Sequence, residues 1–267
     1  MPSLDLPAYL ARIGYNGSLE PTYETLAGLL AAHMNSIHFE NIDVLLGHPI
    51  ALDLDSLQRK IVRDRRGGYC FEQTTLFDAA LRALGFETTA RTSRVTVALP
   101  LHEAPRTHMF LIVRLPEGDF VVDPGFGGFG CRTPIPASGA RVGDGGETFG
   151  FESDGHGATL KIESGDKCVS AWSVGLDRDN PIDFELGNYW TSAHPTSLFR
   201  HNLMLRAMTP RGRVTAMNRA VTIREDGETR SFQLEDRAAL RDLLGRHFGM
   251  DLPDVETLRV SSVPEWS

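Results

Sequence analysis

The chain has 267 residues, of which 41% are hydrophobic and 23% charged, which is typical of a globular protein with a large core. Its formal net charge of −8 at pH 7 argues against nucleic-acid binding but leaves room for a local anion site. The three cysteines, Cys70, Cys131 and Cys168, cannot all pair and lack metal-type spacing, so we expect a reducing compartment and no metal. No signal peptide is evident and no apolar run approaches the roughly 18 residues of a membrane span, which predicts a cytoplasmic protein.

The first part of the chain has helical spacing of its apolar residues. We predict helices over residues 6–13, 22–33, 54–62 and 70–84, the third capped by Asp53 or Asp55. From Phe86 onward the pattern changes to strands, which we predict over 88–98, 108–115, 120–123, 158–163 and 168–174. A loop region rich in glycine and proline covers 125–157, and a short helix or linker is expected at 183–194.

The tail alternates four predicted strands with a final helix. The strands cover 203–209, 213–216, 220–224 and 229–234, and the helix covers 237–248. Helices followed by strands, then strands with a helix, indicate the α+β class. We predict three domains, over residues 1–85, 86–190 and 191–267.

Cys70 stands at the point where two glycines end and a predicted helix begins. Unpaired N–H groups and the positive end of the helix dipole favour a thiolate there, and only the thiolate is a good nucleophile. A buried structural cysteine is the alternative, because free cysteines often serve as small core residues. The position by itself favours neither interpretation.

A nucleophilic cysteine needs a base and a group that orients the base. His108 opens one predicted strand and Asp123 closes its partner. If the turn between them has an even number of residues, both side chains lie on the same face of the hairpin. Centring the turn on Glu117 and Gly118 places the two residues about four positions apart, or roughly 13 Å. A contact then requires another register, a bulge or local bending. Otherwise His108 caps a strand and Asp123 is a turn residue.

Several segments, in chain order, resemble the arylamine N-acetyltransferase family over most of the chain. They read YLARIGY at 9–15, HFEN at 38–41, RGGYC at 66–70, TH at 107–108, VDPGFG at 122–127 and NYWTSAHP at 188–195, continuing to Phe199. The resemblance implies a helical first domain, a central β-barrel and a C-terminal α/β lid around a cysteine-protease-like core. It further implies that Cys70, His108 and Asp123 are the catalytic residues.

The resemblance also implies the reaction and its ligands. An acetyl group would pass from acetyl-CoA through an acetyl-cysteine to an arylamine, arylhydroxylamine or hydrazine, with no metal. Phe39, Val95, Phe126 and Phe199 would line the acceptor site, although each could be an ordinary core or loop residue. For the cofactor we predict Gly127 and Gly128, where the missing side chains allow close backbone approach.

Two residues depart from the family's usual pattern. Thr74 replaces a frequent Asn, and Pro124 replaces a frequent Val after the aspartate and removes one backbone donor. We further predict that Glu40 and Arg66 form a structural ion pair that supports the cysteine's loop.

Three alternatives remain open at the level of sequence. A related amide synthase would close macrocycles from a carrier-bound acyl chain without acyl-CoA. A thiol hydrolase would use water as acceptor, and a binding protein would keep the fold with an idle triad. The presence of Cys70, His108 and Asp123 argues against the last of these.

Overall fold

The computed structural model of the protein describes residues 3–266. Its helices are α1 Leu6–Ile13, α2 Tyr23–Ser36, α3 Ile42–Leu45, α4 Leu54–Leu57, α5 Cys70–Ala83, α6 Pro181–Ala193, α7 Leu198–His201 and α8 Arg237–Leu243. π-helical segments at Gln58–Arg63 and Leu244–Phe248 extend α4 and α8, and 3-10 turns cover Pro253–Thr257 and Pro264–Trp266. Within residues 3–266 we find no helix with the length and apolar character that a bilayer crossing requires.

Side-chain caps explain where the N-terminal helices begin. Asp5 accepts a hydrogen bond from the backbone N–H of the third residue of α1, Thr22 does the same for α2, and Asp53 does so for α4. The predicted helices are therefore confirmed, and Asp53 rather than Asp55 is the cap of α4. The segment at 183–194 is also helical, as α6.

Two antiparallel sheets contain all strands of the described residues. The strands are β1 Phe39–Glu40, β2 Glu87–Val95, β3 Arg106–Leu115, β4 Gly118–Val122, β5 Ile135–Pro136, β6 Val142–Asp144, β7 Glu147–Ser153, β8 Gly157–Ser164, β9 Lys167–Gly175, β10 Met204–Thr209, β11 Gly212–Met217, β12 Ala220–Glu225 and β13 Glu228–Gln233.

The larger sheet curls into a nearly closed barrel. Its strand order is β5-β4-β3-β2-β9-β8-β7-β6, and β5 comes back into contact with β7. Buried aromatic side chains fill its interior, among them Phe110, Phe149 and Trp172. The predicted central β-barrel is confirmed.

The smaller sheet joins distant parts of the chain. Its order is β1-β10-β11-β12-β13, so the two-residue strand β1 pairs with β10 and aligns Phe39 with Arg206. Helix α8 packs its buried leucines against this sheet. The α+β class is confirmed, and α6 runs across the predicted domain boundary at residue 190.

The hairpin between β3 and β4 has a different register from the one that we expected. Leu111 lies opposite Val122 and Leu115 opposite Gly118, so the turn is the pair of residues 116–117 rather than 117–118. This register puts residue 123 level with residue 110, two positions from His108 instead of four. The expected separation of roughly 13 Å along the strands therefore falls to about 7 Å.

Candidate active site

Cys70 is the first residue of α5 and is only 3% exposed. The Glu72 carboxylate accepts a hydrogen bond from the backbone N–H of Tyr69 at 3.0 Å and so fixes the start of the helix. N–H groups in this first turn have no acceptor within the helix. The sulfur lies 3.7 Å from the carbonyl oxygen of Thr107, the residue before His108.

His108 lies between Cys70 and Asp123. It is 2% exposed, and its Nε2 is 2.7 Å from Oδ2 of Asp123, so Nδ1 is the ring nitrogen left to interact with Cys70. Burial opposes the charged imidazolium, but the charge and hydrogen bond of Asp123, together with Cys70, overcome it and raise the pKa of His108 to about 10. At neutral pH the residue is therefore a buried imidazolium between a carboxylate and a sulfur.

Trp172 is a second hydrogen-bond partner of Asp123. Its Nε1–H donates to the same carboxylate oxygen, Oδ2, at 3.2 Å, and its ring stacks on Phe110 with centroids 4.4 Å apart. The second oxygen, Oδ1, is buried and has no hydrogen-bond partner among residues 3–266. Trp172 was not predicted from the sequence, because β9 follows β3 by more than fifty residues.

Three of the four predicted acceptor-site residues lie next to the cysteine and histidine. The Phe126 ring is 4.9 Å from the His108 ring, centroid to centroid. Phe39 and Phe199 form an edge-to-face pair at 6.1 Å and belong to the apolar cluster that contains Cys70. Val95 instead pairs with Trp172 and packs with the barrel interior.

The two predicted cofactor glycines differ in their surroundings. A β-carbon on Gly127 would collide with the ring of Phe39, so the absent side chain there makes room for an aromatic wall. Gly128 is exposed, and a β-carbon would meet only the Phe126 ring, at 3.8 Å. Gly128 therefore has an accessible backbone.

A buried ionic cluster supports the loop before Cys70. The predicted pair is present, with Arg66 Nη2 at 2.7 Å from Glu40 Oε1. Lys60 extends it, because its ammonium lies 2.6 Å from Asp43 and 2.7 Å from Glu72. Since Glu72 also caps α5, the cluster connects directly to the start of the cysteine's helix.

A hydrogen-bonded chain of neutral side chains reaches the same loop from α1. Tyr9 Oη lies 2.8 Å from His33 Nδ1, and His33 Nε2 lies 3.3 Å from Gln73 Oε1. The Gln73 amide then donates to the carbonyl of Gly68 at 2.7 Å. Because Gln73 presents its oxygen to His33, Nε2 of His33 carries the proton and Nδ1 accepts from Tyr9. Burial lowers the pKa of His33 to about 3, so the ring stays neutral.

The two departures from the family pattern both lie near the histidine. The Thr74 hydroxyl donates to the carbonyl of Met109 at 3.1 Å and so ties α5 to β3 beside His108. Pro124 is buried directly after Asp123. Residues 3–266 contain no cluster of three or more His, Cys, Asp or Glu side chains with metal-site geometry.

Comparison with known proteins gives a consistent family assignment. A sequence model of a family described as N-acetyltransferase matches residues 22–257. The chain is 34% identical to an arylamine N-acetyltransferase of Escherichia coli, over 93% of this chain and 89% of that one. It is also 34% identical to the arylamine N-acetyltransferase / N-hydroxyarylamine O-acetyltransferase of Salmonella typhimurium, over 94% and 90% of the two chains.

A solved structure extends the likeness to three dimensions. The Mycobacterium marinum arylamine N-acetyltransferase in complex with CoA superimposes with a TM-score of 0.88 at 34% identity and covers 94% of each chain. The predicted resemblance, the α+β barrel fold and the acetyltransferase assignment are thereby confirmed. This chain belongs to the arylamine N-acetyltransferase family of acetyltransferase enzymes.

Proposed function

We propose that the chain transfers an acetyl group from acetyl-CoA to an arylamine, arylhydroxylamine or hydrazine through an acetyl-cysteine on Cys70. The observation that carries the proposal is the buried chain from Cys70 through His108 to Asp123, with 2.7 Å between the imidazole and the carboxylate. The CoA bound to the Mycobacterium marinum relative supports the donor, and the Salmonella typhimurium relative's name supports the hydroxylamine acceptor.

In the first half-reaction the Cys70 thiolate attacks the thioester carbonyl carbon. The carbon–sulfur bond to CoA breaks, and the departing CoA thiolate takes a proton from the His108 imidazolium. The backbone N–H of Cys70, in the first turn of α5, is placed to stabilise the oxyanion of the tetrahedral intermediate.

In the second half-reaction the nitrogen (or hydroxylamine oxygen) of the acceptor attacks the acetyl-cysteine. Neutral His108 takes the acceptor's proton, and the Cys70 thiolate leaves, which restores the starting ion pair. Asp123 keeps the imidazole oriented and stabilises its charged form in both halves.

The surroundings of the sulfur suit an aromatic acceptor and exclude water. Cys70 and His108 are 3% and 2% exposed, which slows hydrolysis of the thioester intermediate. We assign Phe39, Phe126 and Phe199 to the walls of the acceptor site, with Val95 in the adjoining barrel interior. Gly127 and Gly128 are assigned to the CoA side, where Gly128 offers open backbone.

The experiment is intact-protein mass spectrometry after mixing with acetyl-CoA and no amine. We expect the mass of one acetyl group to appear in the wild type and to disappear when an arylamine or hydrazine is added. Cys70→Ala should show no gain, whereas Cys168→Ser, which removes an exposed cysteine, should behave as the wild type. A wild type that neither gains mass nor releases CoA would exclude acetyl-CoA as donor and favour the amide-synthase or hydrolase alternatives.

Two further features stay predictions from the sequence. These are the division into residues 1–85, 86–190 and 191–267, and the cytoplasmic location. Limited proteolysis would test the first, since a real boundary should be cut before the segments beside it.

A further inference from the structure

Arg206, on β10, is a buried cation with unused hydrogen-bond donors. The residue is 2% exposed, and its Nε and Nη1 have no hydrogen-bond partner among residues 3–266. A guanidinium in such a place is unfavourable unless a counter-charge and hydrogen-bond acceptors lie nearby. Its surroundings must therefore supply both.

The charges around Arg206 leave Asp123 as its counter-ion. Burial lowers the pKa of Arg206 to about 10, and the charges acting on it are those of Asp123, Arg213 and Glu147. Arg213 and Glu147 neutralise each other, since the guanidinium donates two hydrogen bonds to the carboxylate, at 2.7 and 2.6 Å. The remaining opposite charge is that of Asp123, which Arg206 shares with the His108 imidazolium.

The imidazole of His38, near Arg206, is uncharged. Burial lowers the pKa of His38 to about 4, with Arg12 and Arg206 contributing in the same direction, so His38 is neutral at physiological pH. Its Nδ1 is also buried without a hydrogen-bond partner in the described part of the chain. His38 therefore adds a polar atom to this region but no counter-charge.

The loop after Asp123 is shaped around the guanidinium. A β-carbon on Gly130 would collide with Arg206 Nη1, so this glycine allows the loop to lie directly on the charged group. The segment from Asp123 to Gly130 is thus held at its first residue by His108 and at its last by contact with Arg206.

We propose that Arg206 is a positioning residue for Asp123, which it holds by way of a buried water that bridges the guanidinium to carboxylate oxygen Oδ1. Oδ1 is an acceptor without a partner, Nε and Nη1 are donors without partners, and a water with two to four polar neighbours is a standard component of such interiors. With Oδ1 held in this way, Oδ2 stays directed at His108. This inference rests on the proposed function, because it concerns the orientation of that site's carboxylate.

The direction in which the pKa of His108 changes when Arg206 is removed distinguishes this positioning role from a purely electrostatic effect of Arg206 on His108. If Arg206 holds Asp123, its removal leaves the carboxylate free to turn away, and His108 loses the partner that raises its pKa. If Arg206 acted on His108 only through space, removal of a positive charge would raise the pKa of His108. The two cases shift the titration in opposite directions.

The experiment is nitrogen NMR of histidine-labelled protein over a pH series, with the His108→Ala spectrum for assignment. In Arg206→Met we expect the pH at the midpoint of the His108 titration to fall by about one unit or more. Arg206→Lys should stay closer to the wild type because it retains the charge. Val214→Ala, which removes buried methyl groups from the neighbouring strand β11, controls for loosening of the sheet and should leave the midpoint in place.

A second variant keeps the proposal testable if Arg206→Met does not fold. Gly130→Ala displaces the guanidinium while the charge remains, and it should also lower the His108 midpoint. An unchanged or raised midpoint in the folded Arg206 and Gly130 variants would overturn the proposal, as would an equal fall in Val214→Ala. This readout needs no turnover, so a wild type that fails to form the acetyl-enzyme would defeat the proposed function without deciding the role of Arg206.

Discussion

Gly125 lies directly against the backbone of Cys70: a β-carbon built on Gly125 would stand only 2.6 Å from the Cα of Cys70. The loop that begins at Asp123 is therefore seated on the start of α5. The distance from the cysteine to the carboxylate is set by backbone contact as well as by the imidazole between them.

Gly125→Ala tests this contact. The added methyl group meets backbone, which cannot swing aside as a flexible side chain would, so the loop must move away from Cys70. A displacement of about 1 Å lowers kcat/KM for acetyl transfer by about 10²-fold. Gly245→Ala is the control, since a β-carbon there meets nothing within 4 Å. Equal rates for the two variants in steady-state assays would show that the contact does not set the site's geometry.

Trp172→Phe tests the donor to Asp123. The substitution keeps a ring on Phe110 but removes the Nε1–H that donates to Oδ2, a hydrogen bond to a charged group worth about 1.5–3 kcal/mol. We expect kcat/KM to fall by about ten-fold or more, because the carboxylate gains freedom to turn. Trp266→Phe makes the same change in the core of the other sheet and should lower stability while leaving kcat/KM near that of the wild type. Loss of activity in both variants would indicate general loosening.

The stability of the protein should depend on pH through His108. In the folded protein the pKa of His108, about 10, lies above the usual histidine value of 6.5, so its contribution to the free energy of unfolding is fully present below pH 6.5 and is lost as pH rises through 10. Asp123→Asn removes the charge that raises this pKa. We therefore expect urea unfolding at pH 6, 8 and 10 to show that the difference in the free energy of unfolding between wild type and Asp123→Asn becomes smaller as pH rises. A gap that stays constant would contradict the assignment of the imidazolium to His108.

Lys60→Met tests the ionic cluster beneath the cysteine's loop. It leaves the carboxylates of Glu40, Asp43 and Glu72 with Arg66 as the only cation of the cluster, and breaking a buried pair in this way lowers stability by about 3–5 kcal/mol. Arg246→Met removes a guanidinium from an exposed pair with Asp242 and should change stability by about 1 kcal/mol or less. Chemical denaturation measures both. A loss of similar size in the two variants would mean that the cluster does not stabilise the fold.

Local patterns predicted most of the elements that position the site. The helix that begins at Cys70 follows from apolar spacing after two glycines, and the strands that carry His108 and lead to Asp123 follow from the change to short alternating runs. The first of these strands begins at Arg106, two residues before the predicted start at His108, and the second ends at Val122, one residue before Asp123. The expected register of the hairpin was wrong because the turn consists of Pro116 and Glu117, one position earlier than expected. When the turn moves by one residue, each residue of one strand faces a residue two positions away from its expected partner.

Long-range partners could not be predicted from a single sequence. Arg206 lies beside the loop that follows Asp123, on strand β10, which pairs with the two-residue strand β1 more than 160 residues earlier in the chain. Two residues are too few to show a strand pattern in the sequence. Trp172 reaches Asp123 across the barrel interior, from a strand whose sequence indicates only a buried aromatic. Both signals depend on tertiary packing rather than on local periodicity.

The most direct test of the acetyl-cysteine mechanism is the position of the acetyl group. The protein has three cysteines, and Cys168 is exposed, so a gain in intact mass could arise from surface acylation. Peptide mapping after a brief reaction with acetyl-CoA resolves this. We expect the acetyl group on Cys70 in the wild type and its loss in His108→Ala. An acetyl group on Cys168 or Cys131, or rapid labelling of Cys70 that persists in His108→Ala, would contradict it.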